Sequence, residues 1–191
     1  MLYVLFRFLF RCLFYSVFRL KVSGRDNVPD HGAVILCANH ISYFDPPLVG
    51  SPLRRKVHYM AKEELFNIPV LGWLIHQFGA FPVKRGGVSR DAIRNSIKLL
   101  NSGEIMGIFP EGSRKNAGIG QKGAASLALK SKAVVIPVAI IGKYTWFKRM
   151  KIMYGRPVDL SEFAESSTSQ NLEMATEKIM LTIRNMIQSN G

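Results

Sequence analysis

At 191 residues the chain is long enough for one domain with a real core. Its formal net charge of +13 implies an anionic partner: nucleic acid, a membrane surface or a phosphorylated substrate. Two cysteines, Cys12 and Cys37, both in apolar runs, and four scattered histidines exclude a disulfide framework and zinc-ligand spacing. Two buried thiols in a reducing, cytosolic compartment are expected.

Residues 1–20 read MLYVLFRFLFRCLFYSVFRL. As a helix they would extend about 30 Å, the thickness of a hydrocarbon core. Arg7 and Arg11 fall near the middle, where each would cost roughly 2.5–3.5 kcal/mol in a spanning helix. Tyr3, Arg7, Arg11, Tyr15 and Arg19 recur every four residues and form one stripe. A helix lying in the headgroup region would keep that stripe wet and bury its Leu and Phe residues. A tilted span and a helix packed on the protein's own core are the two other placements. The arginines and the lack of a small-residue cleavage site do not suit a signal peptide.

From residue 21 the pattern alternates. Apolar runs at 33–38, 79–83, 104–109 and 134–141 read as buried strands. Helical spacing appears at 89–101 (Ile93, Ile97 and Leu100 on one face), in the Ala-rich 123–131, and at 169–188. The expected fold is α/β: a single layered domain, 21–191, with a central, mostly β, sheet flanked by helices. A membrane-interfacial helix, 1–20, precedes it. The basic excess is concentrated in its middle, where Lys84 to Arg156 carries 15 basic residues against three acidic ones.

Two blocks carry chemistry. Asn39-His40-Ile41-Ser42-Tyr43-Phe44-Asp45 follows the first buried strand, so the His40 ring can emerge at the sheet edge. Asp45 before Pro46 and Pro47 has the signature of a helix N-cap. A turn between the two could also bring the carboxylate to the imidazole and fix its tautomer, making His40 a general base. No Gly-x-Ser-x-Gly elbow and no credible nucleophilic cysteine occur, and Ser42 reads as lining the turn, so the base would act on a substrate hydroxyl without an acyl-enzyme. Phe109-Pro110-Glu111-Gly112-Ser113-Arg114 follows another strand, with Gly112 permitting close approach and Arg114 suited to a phosphate. Arg85 ends a third strand, and Lys115 and Lys122 add positive field. Any one of these cations alone could be an ordinary solvated side chain.

These blocks resemble the glycerolipid acyltransferases. Asn39–Asp45 is similar to their NHxxxxD block, Gly79–Arg85 to the second, Phe109–Arg114 to the third, with Ser113 for the usual threonine, and Val135–Ile140 to the fourth, with Ile136 where valine is common. Met60–Leu65 and Ile68–Trp73 also look like the family. The resemblance covers roughly residues 20–160. It implies transfer of a fatty acyl group from acyl-CoA or acyl-carrier protein to the sn-2 hydroxyl of lysophosphatidate, giving phosphatidate. His40 and Asp45 would be catalytic. Arg85, Glu111, Gly112, Ser113, Arg114 and Lys122 would bind substrate. No cofactor or metal is implied, and the expected place is the cytoplasmic face of the cell membrane, as a peripheral or monotopic protein on its anionic surface. Rival readings are the same chemistry on another lysophospholipid or on glycerol 3-phosphate, and a non-enzymatic membrane-surface adaptor. A nucleic-acid binder is disfavoured for want of a base-reading or stacking motif.

Overall fold

The computed structural model describes residues 2–83, 90–110, 120–164 and 168–191. The run at 33–38 is apolar throughout because its strand is covered on both faces. In β2 (Val34–Ala38), Val34, Leu36 and Ala38 enter one core, while Ile35 and Cys37 enter the other. The other apolar runs become β4 (Ala80–Val83), β5 (Ile105–Ile108) and β6 (Val134–Ile141).

Three strands lay outside the sequence reading: β1 (Lys21–Ser23), β3 (Val57–Lys62) and β7 (Lys151–Tyr154). The described strands form one sheet in the order β1-β7-β6-β2-β5-β3-β4. β2 to β6 run parallel, and β7 turns back antiparallel on β6 with β1 parallel to β7. Pro137 sits in β6 beside Cys37 of β2 and just past the end of β7, its carbonyl accepting from Gly155 N at 2.8 Å.

One face of the sheet carries α1 (Leu2–Val17) and the short α2 (Asp45–Gly50), packed over Leu36, Val138 and Ile152. The other carries α5 (Arg90–Asn101), α6 (Gly120–Ser131) and α7 (Ser169–Asn190), whose Leu100, Ala124, Ala128 and Ile179 meet Ile35, Cys37 and Met106. α3 (Glu63–Phe66) and α4 (Leu71–Gln77) connect β3 to β4. The architecture is the expected α/β one, a central sheet flanked by helices, and among the described residues that sheet has seven strands and is mostly parallel.

The first helix differs from the expectation in its orientation. Its arginines do not face water. Arg11 Nε donates to Ser51 O at 2.6 Å and its Nη2 to Pro52 O at 2.9 Å. Arg7 Nη1 donates to the carbonyls of Leu53 and Arg54. These acceptors lie where α2 ends, so the cations take up carbonyls that have no helical partner and stand at the negative end of its backbone dipoles. Phe14 is fully buried beside them, and Phe6 and Phe10 lean on Phe78. The outward face is instead apolar, with Val4, Leu5, Phe8 and Leu9 exposed. Cys12 is also exposed, whereas Cys37 is buried as expected. No described helix is long and apolar enough to cross a membrane.

Candidate active site

β2 ends at Ala38, and the next two residues turn over the strand-end edge of the sheet. Asn39 is buried, and its side chain replaces a backbone pairing. Its Nδ2 donates to Ile140 O at 3.0 Å, and Ile140 N donates back to Oδ1 at 2.7 Å. This clip fastens the end of β2 to the end of β6 and fixes where the chain delivers His40.

His40 Nδ1 lies 2.6 Å from Asp45 Oδ2. A carboxylate oxygen accepts, so Nδ1 carries the proton and Nε2 presents its lone pair as the basic atom. The His40 side chain is one-quarter exposed, whereas Asp45 is wholly buried. Burial of a carboxylate requires donors. The backbone N–H groups of Ile41 and Ser42 reach Oδ2 at 2.6 and 2.7 Å, and Tyr144 Oη donates to Oδ1 at 2.7 Å. A helix does start at Asp45, but the N-cap reading needs correction. Helix α2 begins at Asp45 itself, with Phe44 as its cap residue, and the carboxylate turns back to the preceding loop. Ser42 lines that loop, its Oγ accepting from Phe44 N at 3.2 Å.

The imidazole is supported from below by a stack. The Phe109 ring lies 4.3 Å from the His40 ring at 23°, and Tyr59 stacks on Phe109 at 6.1 Å and 12°. Tyr59 in turn donates to Pro46 O at 2.9 Å. This column needs a glycine beneath it: a Cβ on Gly107 would stand 2.1 Å from Tyr59 Cε1. The Phe of the FPEG block is thus a platform for the histidine.

Tyr144 follows β6 and packs edge-on against Phe18 at 5.5 Å and beside Phe44 at 6.0 Å. Burial first, then the Asp45 bond and charge, raise its phenol above the ordinary tyrosine range, so it stays a donor at physiological pH. Burial likewise pushes the Cys37 thiol up to about 12, which leaves it un-ionised near neutrality and inert as a nucleophile. Tyr144, Tyr59 and the platform role of Phe109 were missed in the sequence. Only Phe109 carried a signal, as the first residue of its block.

Arg85, Glu111, Gly112, Ser113 and Arg114 lie outside the described residues. Lys122 is described. Its ammonium is 2.5 Å from Glu173 and 2.7 Å from Ser169 Oγ, bridging α6 to α7. To hold a phosphate it would have to leave those partners. Among the described residues no group of His, Cys, Asp and Glu could hold a metal ion. Concavities of about 210 Å³ beside Arg25 and Arg55 and about 420 Å³ beside Ala128 and Leu160 open at the opposite, strand-start edge. Neither is lined by His40 or Asp45. The hydrogen-bonded dyad, not either concavity, is therefore the candidate site.

A wholly buried carboxylate bonded to a one-quarter-exposed imidazole is an arrangement suited to general-base chemistry. Comparison with known proteins gives the family. The family model described as Acyltransferase matches residues 19–141. Over 175 residues the chain is 35% identical to the 1-acyl-sn-glycerol-3-phosphate acyltransferase of Bacillus subtilis strain 168, covering 87% of both chains. It is 31% identical over 162 residues to the enzyme of the same name from Streptococcus pneumoniae, covering 81% of this chain and 61% of that one. The fold is similar to the crystal structure of the 1-acyl-sn-glycerophosphate (LPA) acyltransferase, PlsC, from Thermotoga maritima. The TM-score is 0.70 at 24% identity, over 98% of this chain and 78% of that one.

Proposed function

The chain belongs to the acyltransferase family, and from that premise we propose that it esterifies the sn-2 hydroxyl of lysophosphatidate to give phosphatidate. The acyl donor is a thioester, acyl-CoA or acyl-carrier protein. The observation that carries the mechanism is the 2.6 Å contact between His40 Nδ1 and Asp45 Oδ2.

His40 Nε2 takes the acceptor's hydroxyl proton as the oxygen attacks the thioester carbonyl. The tetrahedral adduct collapses, the C–S bond breaks, and the imidazolium returns the proton to the leaving thiolate. Asp45 stabilises the positive ring between these steps, with its own charge steadied by Tyr144 and two backbone amides. Transfer is direct, in keeping with a buried Cys37 and with Ser42 committed to its turn. Arg85 and Arg114 grip the acceptor phosphate, and Glu111, Gly112 and Ser113 complete that subsite.

The protein works at the cytoplasmic face of the membrane, held peripherally. The apolar outer face of α1 supports this, as do Tyr43 and Phe44, exposed beside the dyad. The test is release of free thiol from acyl-CoA and from acyl-carrier protein, with lysophosphatidate present and absent. Thiol release that depends on lysophosphatidate and disappears in His40→Ala is expected. Equal release without acceptor, or an undiminished His40→Ala, would refute the mechanism.

A further inference from the structure

The loop joining β6 to β7, residues 142–150, has two sides. Tyr144 points inward to Asp45. Trp146 and Phe147 point outward and are 74% and 68% exposed, with exposed Lys143, Lys148 and Arg149 around them. We propose that this loop is a second membrane contact, seating Trp146 and Phe147 at the headgroup boundary of an anionic bilayer.

The aromatic pair is held out rather than left loose. Phe147 has φ +60°, a left-handed conformation that a bulky side chain adopts only under constraint. Its N–H donates to Val17 O at 2.7 Å, tying the loop to the end of α1. Thr145 N donates to Lys143 O at 2.7 Å and Lys148 N to Thr145 O at 3.1 Å, closing the turn. Exposed aromatics on a braced turn are costly in water and are suited to a bilayer interface, where an apolar body and a polar edge are both satisfied.

Charge selects the kind of surface. The sequence holds no Asp or Glu between Gly112 and Val158, so nothing nearby in the chain offsets Lys143, Lys148 and Arg149. Basic residues within a Debye length of anionic lipid are attracted to it. The loop stands on the strand-end edge that carries the dyad, since β6 and β2 run parallel and end together at Ile140 and Asn39. It also adjoins α1, whose outward face is apolar. The inference rests on the membrane association proposed above and names a contact that α1 does not supply.

The chain has two tryptophans, Trp73 and Trp146. In full-length Trp73→Phe, Trp146 is therefore the sole indole reporter. We expect its emission to shift blue on vesicles of phosphatidylcholine with phosphatidylglycerol, and to be quenched when the acyl chains are brominated. Vesicles of phosphatidylcholine alone should give a smaller response. In the otherwise native chain, Trp146→Ser with Phe147→Ser should weaken partitioning to the anionic vesicles about 10-fold, with thermal unfolding unchanged. Co-sedimentation with unshifted, unquenched Trp146 would overturn the loop contact while leaving membrane association by α1 standing. Absence of co-sedimentation would overturn both. A Trp146 shift on adding acidic carrier protein, with none on vesicles, would overturn the lipid assignment in favour of a protein partner.

Discussion

Tyr144 Oη donates to Asp45 Oδ1 at 2.7 Å, on the carboxylate oxygen opposite the one that holds His40. The two residues are 99 positions apart. The carboxylate is thus held from both sides, and its plane, hence the direction in which His40 is pulled, depends on a phenol from another loop. Tyr144→Phe keeps the ring that packs on Phe18 and removes only the donor. We expect kcat to fall about 10-fold, the scale of a lost hydrogen bond to a charged group partly used in the transition state. Acceptor KM should be little changed. In an Asp45→Asn background the same substitution should cost much less, because the groups act as a unit. Equal losses in both backgrounds would mean that Tyr144 acts on packing alone.

His40→Ala should lower turnover by ~10²–10⁴-fold, the usual contribution of a general base. Asp45→Asn should approach that loss with folding retained, because the amide can still accept from the Ile41 and Ser42 amides but cannot stabilise a charged ring. Initial rates of thiol release, with circular dichroism as the fold control, check this. Near-normal turnover in either variant would contradict the dyad.

Gly107 is the floor of the Tyr59–Phe109–His40 column. In Gly107→Ala the new methyl would meet the Tyr59 ring at 2.1 Å, with the strand backbone beneath unable to retreat. A cost of about 1–3 kcal/mol, typical of overpacking, is expected in urea unfolding. The kcat should fall as well, since Tyr59 can move only by disturbing the ring beneath His40. A Gly107→Ala protein with native stability and turnover would remove the column from the account.

The two faces of α1 should separate in experiment. Arg11→Ala leaves the carbonyls of Ser51 and Pro52 without their donor and should lower stability by about 1–3 kcal/mol. Phe8→Ser with Leu9→Ser, on the outward face, should leave the melting temperature nearly unchanged and weaken binding to anionic vesicles. The reverse pattern would return the arginines to the water-facing role that their spacing first suggested.

Arg85 and Arg114 make a prediction that rests on sequence position. Replacing either by Ala should raise the KM for lysophosphatidate far more than that for the thioester, and Lys should rescue only in part, lacking the bidentate fork. The control is a monoacylglycerol acceptor without phosphate. Equal losses on both acceptors would exclude phosphate recognition.

The sequence alone determined what local chemistry can determine. The runs at 33–38, 104–109 and 134–141 were legible as strands because burial on both faces leaves no polar positions, and their bounds agree with β2, β5 and β6 to within a residue at each end. His40 and Asp45 were legible as a pair because one turn spans them. β1 and β7, only three and four residues long, carry too little pattern and exist by pairing with each other and with β6. The four-residue stripe singled out Arg7 and Arg11, but Tyr15 of the same stripe is exposed and Phe14 is buried on the arginines' side, because periodicity cannot say what each face meets. Tertiary packing decided that, setting orphan carbonyls at the end of α2 against Arg7 and Arg11, so the arginines turned inward and the apolar face outward. It also decided Tyr144 and the Phe109 platform. A hydrogen bond across 99 residues leaves no spacing to read, and only the meeting of β2 with β6 brings its partners within 2.7 Å.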